Sequence, residues 1–218
     1  MDTMYTVVEF FVAGGIFMYP ILGVCAVGAA IAIERLITLK IVTSKNQAMW
    51  SKLQPLVAER QFEQARELTA KDDSTISQLL NVGLERQGAV RRRDDIEIAM
   101  EECMMEILPQ LEKRTAYVGL AANIATLLGL LGTIMGLIQA FTAVANANPA
   151  EKADLLSASI SVAMNTTAFG LLVAIPLLVM HTIVAQRTGQ IVAALEMASV
   201  KLLNAIYSTA KRQFQAAA

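Results

Sequence analysis

Residues 157–176 read SASISVAMNTTAFGLLVAIP and lie inside a long uncharged run. No Asp, Glu, Lys or Arg occurs between Asp154 and Arg187, yet the stretch holds three serines, an asparagine and two adjacent threonines. The run exceeds the roughly 20 residues that an α-helix needs to cross the hydrocarbon core of a bilayer. The stretch therefore predicts a membrane-spanning helix, whose hydroxyl groups serve either helix packing or a path for an ion.

Two more uncharged runs, from Glu9 to Glu34 and from Arg114 to Glu151, predict two more spanning helices. The chain is 55% hydrophobic and 17% charged, with a mean hydropathy of +0.50, which is more apolar than a typical soluble domain. A cleaved signal peptide is not expected, because no basic residue precedes the first run and Pro20 interrupts it. The predicted spans are residues 10–33, 117–144 and 155–184.

The basic residues predict the orientation. Of the 18 Lys and Arg residues, none precedes Glu34 and only Lys152 lies between the second and third spans. Because basic residues accumulate on the cytoplasmic side, we expect the N-terminus and the loop at 145–154 to be periplasmic. Residues 35–116 and 185–218, including the C-terminus, are then cytoplasmic.

The cytoplasmic segments have helical patterns. Residues 56–70 and 75–86 show the apolar spacing of two short amphipathic helices. A further helical pattern starts at Asp94 and is interrupted only by Pro109, which predicts one continuous or kinked helix up to Phe141.

These patterns predict an all-α membrane protein with three transmembrane helices and long cytoplasmic helical extensions. The predicted domains are a periplasmic cap with the first transmembrane helix (1–34), a cytoplasmic helical insertion (35–93), the second and third transmembrane helices with a cytoplasmic extension (94–184) and a C-terminal cytoplasmic helix (185–218).

Small residues and threonines line one face of the second and third spans at 100° per residue. Such faces usually pack helices, and a groove between them offers room for a third helix, with a threonine in the middle of each face. Ser157, Ser161 and Asn165 form a second polar stripe on the third span. The members of the two small-residue faces are Thr126, Gly129, Thr133, Gly136 and Ala140 on the second span, and Ala163, Thr167, Gly170 and Ala174 on the third, bordered by Thr166.

The second and third spans contain no carboxylate. Ion-driven membrane proteins generally need an ionisable group at depth, and threonine and asparagine cannot hold a proton at physiological pH. If the chain moves protons, we expect the carboxylate to come from another polypeptide.

Other function classes find little support in the sequence. Cys25, Cys103 and His181 suggest neither a disulfide nor a metal site, and the common catalytic and phosphate-binding motifs do not occur. We therefore expect no enzyme activity, no metal and no cofactor. The net charge of −1 and the lack of a basic patch with interleaved aromatic residues give no indication of nucleic-acid binding.

Three stretches carry a resemblance to a known family. Pro20-Ile-Leu occurs with Ile33-Glu34-Arg35-Leu36, residues 125–141 read ATLLGLLGTIMGLIQAF, and residues 165–176 read NTTAFGLLVAIP. In these motifs the chain resembles the MotA/TolQ/ExbB family, the larger subunits of bacterial ion-driven motors, over nearly its whole length.

The resemblance implies a homopentameric ring whose second and third helices line a pore. Two copies of an ExbD/TolR-like partner, each with one span and a membrane Asp, are implied inside it, with a TonB-like or other periplasmic effector and membrane lipid as further partners. Thr133 and Thr167 match the threonines that face that Asp, and Thr166, Asn165 and Ser161 are the other candidates for the ion path. The candidates for packing the partner helix are Thr126, Gly129, Gly136, Ala140, Ala163, Gly170 and Ala174.

One position departs from the family pattern. ExbB- and TolQ-like members usually carry a glutamate in the third helix where this chain has Val162; MotA-like members lack that acid but have four spans. The resemblance favours H⁺ as the transported ion, and the oxygen-rich Asn165-Thr166-Thr167 cluster keeps Na⁺ as an alternative. A passive membrane scaffold is the remaining alternative, and the process powered stays open between uptake, envelope maintenance and gliding.

Overall fold

The computed structural model describes residues 10–11, 14–87 and 93–216, apart from the side chains of residues 93, 146 and 209–216. Stretches long and apolar enough to cross a membrane occur in three helices, α1, α5 and α6, which confirms the predicted all-α membrane protein with three spans. The helices are α1 (Met18–Ala58), α2 (Phe62–Ala70), α3 (Thr75–Arg86), α4 (Arg93–Glu112), α5 (Thr115–Asn146) and α6 (Lys152–Ala216).

The chain forms two compact units. The span unit comprises the chain up to Arg35 and Arg114–Ile183, and the extension unit comprises Leu36–Lys113 and the chain from Val184 onward. Residues 94–113, which the sequence groups with the second span, belong to the extension unit. Residues 1–9 of the predicted periplasmic cap lie outside the described residues.

The first spanning helix begins at Met18, and the prediction that it extends back to residue 10 is wrong. Gly14–Phe17 form a turn, in which Gly15 has a φ of +77°. That conformation is readily available only to glycine, so the Gly14-Gly15 pair ends the helical pattern. Pro20 then lies in the first turn of α1, where proline is tolerated because the N–H groups there have no helical partner.

The helix predicted from Asp94 to Phe141, continuous or kinked, is divided into α4 and α5 by a break at Lys113 and Arg114. Pro109 lies inside α4 and does not end it. Arg114 instead takes a left-handed conformation, with φ 62°, which costs roughly 1–2 kcal/mol for a residue with a Cβ. Its Nη1 lies 3.4 Å from Oε2 of Glu34 on α1, so a half-exposed ion pair accompanies the break.

The helix predicted at residues 56–70 is also corrected, because α1 continues to Ala58 and ends in a Schellman turn. Arg60 is left-handed (φ 63°), and the N–H of Gln61 donates to the carbonyl of Leu56 at 2.9 Å. The short helix α2 starts only at Phe62. The second predicted short helix, 75–86, is confirmed as α3.

The extension unit has one apolar core to which all its helices contribute. Leu53 of α1, Ala65 of α2, Leu80 of α3, Met100 of α4 and Leu195 of α6 are each 1% exposed or less. Burial of such side chains, at about 1.5–3 kcal/mol for each large one, holds the unit together.

The start of α3 is fixed by side-chain caps. Ser74 is the N-cap and accepts from the N–H of Ser77, while the carboxylate of Asp72 accepts from both hydroxyls and from the N–H of Ser74. From α1, Oδ1 of Asn46 accepts from the N–H of Ile76 at 3.3 Å. The pKa of Asp72 lies below its usual range, chiefly because the Ser74 hydroxyl donates to the ionised form.

We predict that Asp72→Ala loosens α3, because Ser74 and Ser77 then lose their common acceptor. A loss on the order of 1 kcal/mol, as for a helix cap, speeds hydrogen exchange of the first α3 amides about fivefold, measured by mass spectrometry. The matched control is Asp73→Ala, since Asp73 is exposed. Acid should act like Asp72→Ala: the stabilisation is complete above the unfolded-state pKa of about 3.9 and is lost as the pH falls through the lower folded-state value. Equal exchange in both variants would contradict the prediction.

Candidate functional site at the contact between α5 and α6

The backbones of α5 and α6 touch along the two small-residue faces. A Cβ placed on Gly170 would lie 2.7 Å from the carbonyl oxygen of Ala125 and 3.0 Å from Cα of Gly129. A Cβ on Gly136 would lie 2.7 Å from Cβ of Ala163. Because none of these distances leaves room for a larger side chain, the contact depends on glycine and alanine at these positions.

The groove that the sequence predicted between these faces is therefore closed in the structure. The two faces cover each other: Gly129 and Gly170 are buried, and Ala163 and Ala174 are each 2% exposed. Small residues on both helices let the backbones approach until no space remains for a third helix. Ala140 is also buried, whereas Thr126 is exposed and donates to the carbonyl of Ala122. Contact of these residues with a partner helix stays a prediction.

Thr167 is the threonine whose hydroxyl connects the two helices. Its Oγ1 donates to the carbonyl oxygen of Gly129 at 2.8 Å. The hydroxyl of Thr133 instead donates within α5, to the carbonyl of Leu130 at 2.6 Å. Both side chains remain partly exposed, so each keeps lone pairs that can accept another hydrogen bond.

Thr166 has a different environment from Thr167. It is 2% exposed, and its Oγ1 lies 2.6 Å from the carbonyl oxygen of Gly14 and 3.0 Å from that of Val162. A Cβ on Gly132 of α5 would collide with its methyl group. Within one chain Thr166 thus joins the Gly14 turn, α5 and α6, and its predicted place on an ion path stays a prediction without geometric support.

Sequence reasoning missed this three-segment contact. The Gly14-Gly15 pair is a recognisable turn signal, but it lies in an apolar run long enough for a continuous span. A Cβ on Gly15 would lie 3.3 Å from Cγ1 of Val162, so the turn also covers part of the position where a glutamate is usual. Val162 remains 38% exposed.

The second polar stripe on α6 stays open in the single chain. Ser157 and Ser161 are exposed and Asn165 is half-buried. Neither span contains a carboxylate, and no group of His, Cys, Asp and Glu suited to a metal occurs among the residues that the structure describes. Cys25 and Cys103 are free thiols. The region around Thr167 can therefore offer hydroxyl, amide and carbonyl oxygens to an ion, but no carboxylate of its own.

We predict that Gly170→Ala disrupts the α5–α6 contact, because the new methyl group meets backbone atoms that cannot rotate away. Overpacking of this kind costs about 1–3 kcal/mol and should lower the unfolding temperature of the purified protein in detergent. Gly23→Ala is the matched control, since nothing lies within 4 Å of a Cβ at Gly23. A Gly170→Ala protein as stable as the Gly23→Ala protein would show that the helices can separate freely.

Comparison with known proteins places the chain in a family. Residues 71–197, more than half of the chain, match the model of the MotA/TolQ/ExbB proton channel family. This region includes α3, α4, α5 and the part of α6 that carries Thr166 and Thr167.

Several curated proteins are similar to the chain. A putative biopolymer transport protein ExbB homolog of Methanothermobacter thermautotrophicus is 29% identical, over 88% of this chain and 67% of that protein. The putative biopolymer transport protein ExbB-like 3 of Synechocystis is 26% identical, over 82% and 90%. The biopolymer transport protein exbB1 of Vibrio cholerae is 49% identical over 53 residues, or 24% of this chain. Together with the three apolar helices, these matches show a multi-pass inner-membrane channel subunit of the motor type that belongs to the MotA/TolQ/ExbB proton channel family.

Proposed function

We propose that this chain forms the homopentameric ring of an ExbB/TolQ-like motor around two copies of an ExbD/TolR-like partner, each bearing a membrane Asp. Ion flow through the ring would move the partner and so transmit work to the periplasm. Membership in the proton channel family supports ion conduction. The observation that carries the proposal is the Thr167 hydroxyl, which lies at the contact of two spans without a carboxylate and has lone pairs to spare.

Thr167 can exchange hydrogen-bond partners at small cost. The Gly129 carbonyl to which it donates lies inside α5 and has an intrahelical N–H as a second partner. When the hydroxyl rotates toward a partner's carboxylate, the chain therefore loses only the net value of one hydrogen bond, about 0.5–1.5 kcal/mol. The Thr133 hydroxyl can exchange partners at a similarly small cost, since it donates to the Leu130 carbonyl of its own helix.

We assign H⁺ as the transported ion, with the partner's Asp as the group that carries it. The name of the matched proton channel family supports H⁺, and the hydroxyls would orient and solvate the partner's carboxylate without titrating themselves. Na⁺ is the alternative, and a Na⁺ site would draw on the exposed Ser161 and the partly exposed Asn165 of α6. Neither ion requires enzyme activity or a resident cofactor.

We also propose that the N-terminus is periplasmic and the extension unit cytoplasmic. The distribution of basic residues supports this orientation, since Lys152, at the start of α6, is the single basic residue between the second and third predicted spans. The process that the motor powers would be decided by the periplasmic part of the partner.

We predict that Thr167→Val lowers proton flux about tenfold, because the transition state for proton transfer then lacks one hydrogen bond. The measurement uses liposomes containing the chain and its partner, a pH-sensitive dye and an imposed membrane potential. Thr167→Ser should keep most of the flux. Thr182→Val is the matched control, since the exposed Thr182 hydroxyl donates only to Leu178 of its own helix.

The same assay decides between the alternatives. Flux that disappears with Asp→Asn in the partner supports the proposal, and flux that follows Na⁺ rather than pH supports a sodium-driven member of the family. Assembled oligomers without ion flux, with or without the partner, would indicate a passive scaffold. Full flux in an assembled Thr167→Val ring would refute the assigned role of Thr167.

A further inference from the structure

The outer face of α4 exposes large apolar side chains among acidic residues. Ile98 is 53% and Met105 71% exposed, and Asp94, Glu101 and Glu102 lie on the same side of the helix. Lipid does not suit this face, because carboxylates are costly in a bilayer and α4 lies outside the predicted spans. We call these five residues the α4 outer face.

A groove between α1 and α6 in the same unit is the counterpart of this face. It encloses a cavity of about 190 Å³ and is lined by apolar and neutral polar side chains without a carboxylate. Met197 at its edge is 49% exposed. The α1–α6 groove is defined by Gln47, Trp50, Ile191, Ala194, Leu195 and Met197.

The charges beside the groove are opposite to those of the α4 outer face. Trp50 is one of the groove residues, and Nζ of Lys201 lies 5.6 Å from the centre of its ring. Lys40 and Arg187 are exposed and lie one helical turn from Thr43 and Gln190, which also line the cavity. Complementary charges of this kind favour one docking partner and register over others.

The α4 outer face and the groove lie at the same height in the extension unit. The chain leaves the unit at Lys113, directly after α4, and enters it again at Val184 within α6, so the two helices run in opposite directions. Oγ of Ser199 lies 3.8 Å from Sδ of Met100. Because the helices are antiparallel, five residues forward from Met100 and five residues back from Ser199 cover the same rise along the helix axes. Met105 of α4 is therefore level with Ala194 of α6.

Met105 does not reach the groove of its own chain. On α6, Glu196 and Ser199 face α4 and line a cleft with Met105, whereas Ala194 faces α1. Ala194 and Glu196 are about 200° apart around the helix, so α6 itself separates Met105 from the groove. A second copy in the same membrane carries its groove at the same depth and has no such obstacle.

We propose that the α4 outer face of one copy docks into the α1–α6 groove of the next copy. Ile98 and Met105 enter the groove, and the carboxylates of Glu101 and Glu102 face Lys201. Since the two surfaces complement each other and not themselves, the contact is head-to-tail, and copies that share one membrane then close a ring. The inference rests on the ring of the proposed function and names the surfaces that build it.

Disulfide trapping tests this contact. In a background with Cys25→Ala and Cys103→Ala, Met105→Cys and Ala194→Cys are combined in one chain, and membranes are oxidised with copper phenanthroline. A head-to-tail contact gives a ladder of linked chains up to the closed ring, whereas either cysteine alone gives none. The control pair is Met105→Cys with Glu63→Cys, since Glu63 is an exposed residue of α2.

Native mass spectrometry of the same samples gives the oligomeric state independently of the disulfide links seen on the gel. The two measurements together distinguish failure of this inference from failure of the proposed function. An intact oligomer without links overturns the docking, and so does a product that stops at dimers, which indicates a self-complementary contact. A chain that stays monomeric with its partner present overturns the ring of the proposed function as well.

Charge reversal gives an independent test. Glu101→Lys with Glu102→Lys should reduce the assembled fraction at least tenfold, and adding Lys201→Glu should restore most of it. Glu63→Lys is the matched control and should assemble normally. Loss without rescue, in a protein whose helix content is unchanged, would exclude the pairing with Lys201.

Discussion

The backbone contact between α5 and α6 is the constraint on which the rest of the span unit depends. Gly170 lies against the carbonyl of Ala125 and Cα of Gly129, with no space for a side chain. This proximity brings the Thr167 hydroxyl within 2.8 Å of a carbonyl on the other helix. It also brings α5 close enough for Gly132 to receive the methyl group of Thr166. The hydroxyls thus owe their positions to residues that have no polar side chain.

The helical period placed Gly129 and Gly170 on faces that contact each other in the structure, but it did not show what those faces would meet. The helical period shows which residues share a face, and Gly129 and Gly170 do lie on the faces assigned to them. The period alone does not show whether a face meets a neighbouring helix of the same chain or another protein. In the structure each face packs against the other, because α5 and α6 are adjacent in the chain and are joined by a short loop.

The sequence predicted a helix boundary correctly where the residue type at that boundary determines the backbone conformation. Ser74 at the start of α3 has the side chain that a cap needs, and residues 75–86 were assigned correctly. Arg60 and Arg114 adopt left-handed conformations that favour glycine, and nothing in an arginine signals this. At Arg60 the turn satisfies the last carbonyls of α1, and at Arg114 the ion pair with Glu34 accompanies it.

The turn at Gly14 has a consequence for how an ion would lose water in such a ring. Because the Gly14 and Val162 carbonyls surround the Thr166 hydroxyl, each chain offers fewer free oxygens than its run of adjacent polar residues indicates. A cation must replace hydration-shell oxygens with protein oxygens to cross a narrow passage. In the proposed ring the Thr166 hydroxyl would therefore be held inside the chain, and an ion would depend on the other oxygens along the passage for the contacts that replace its water.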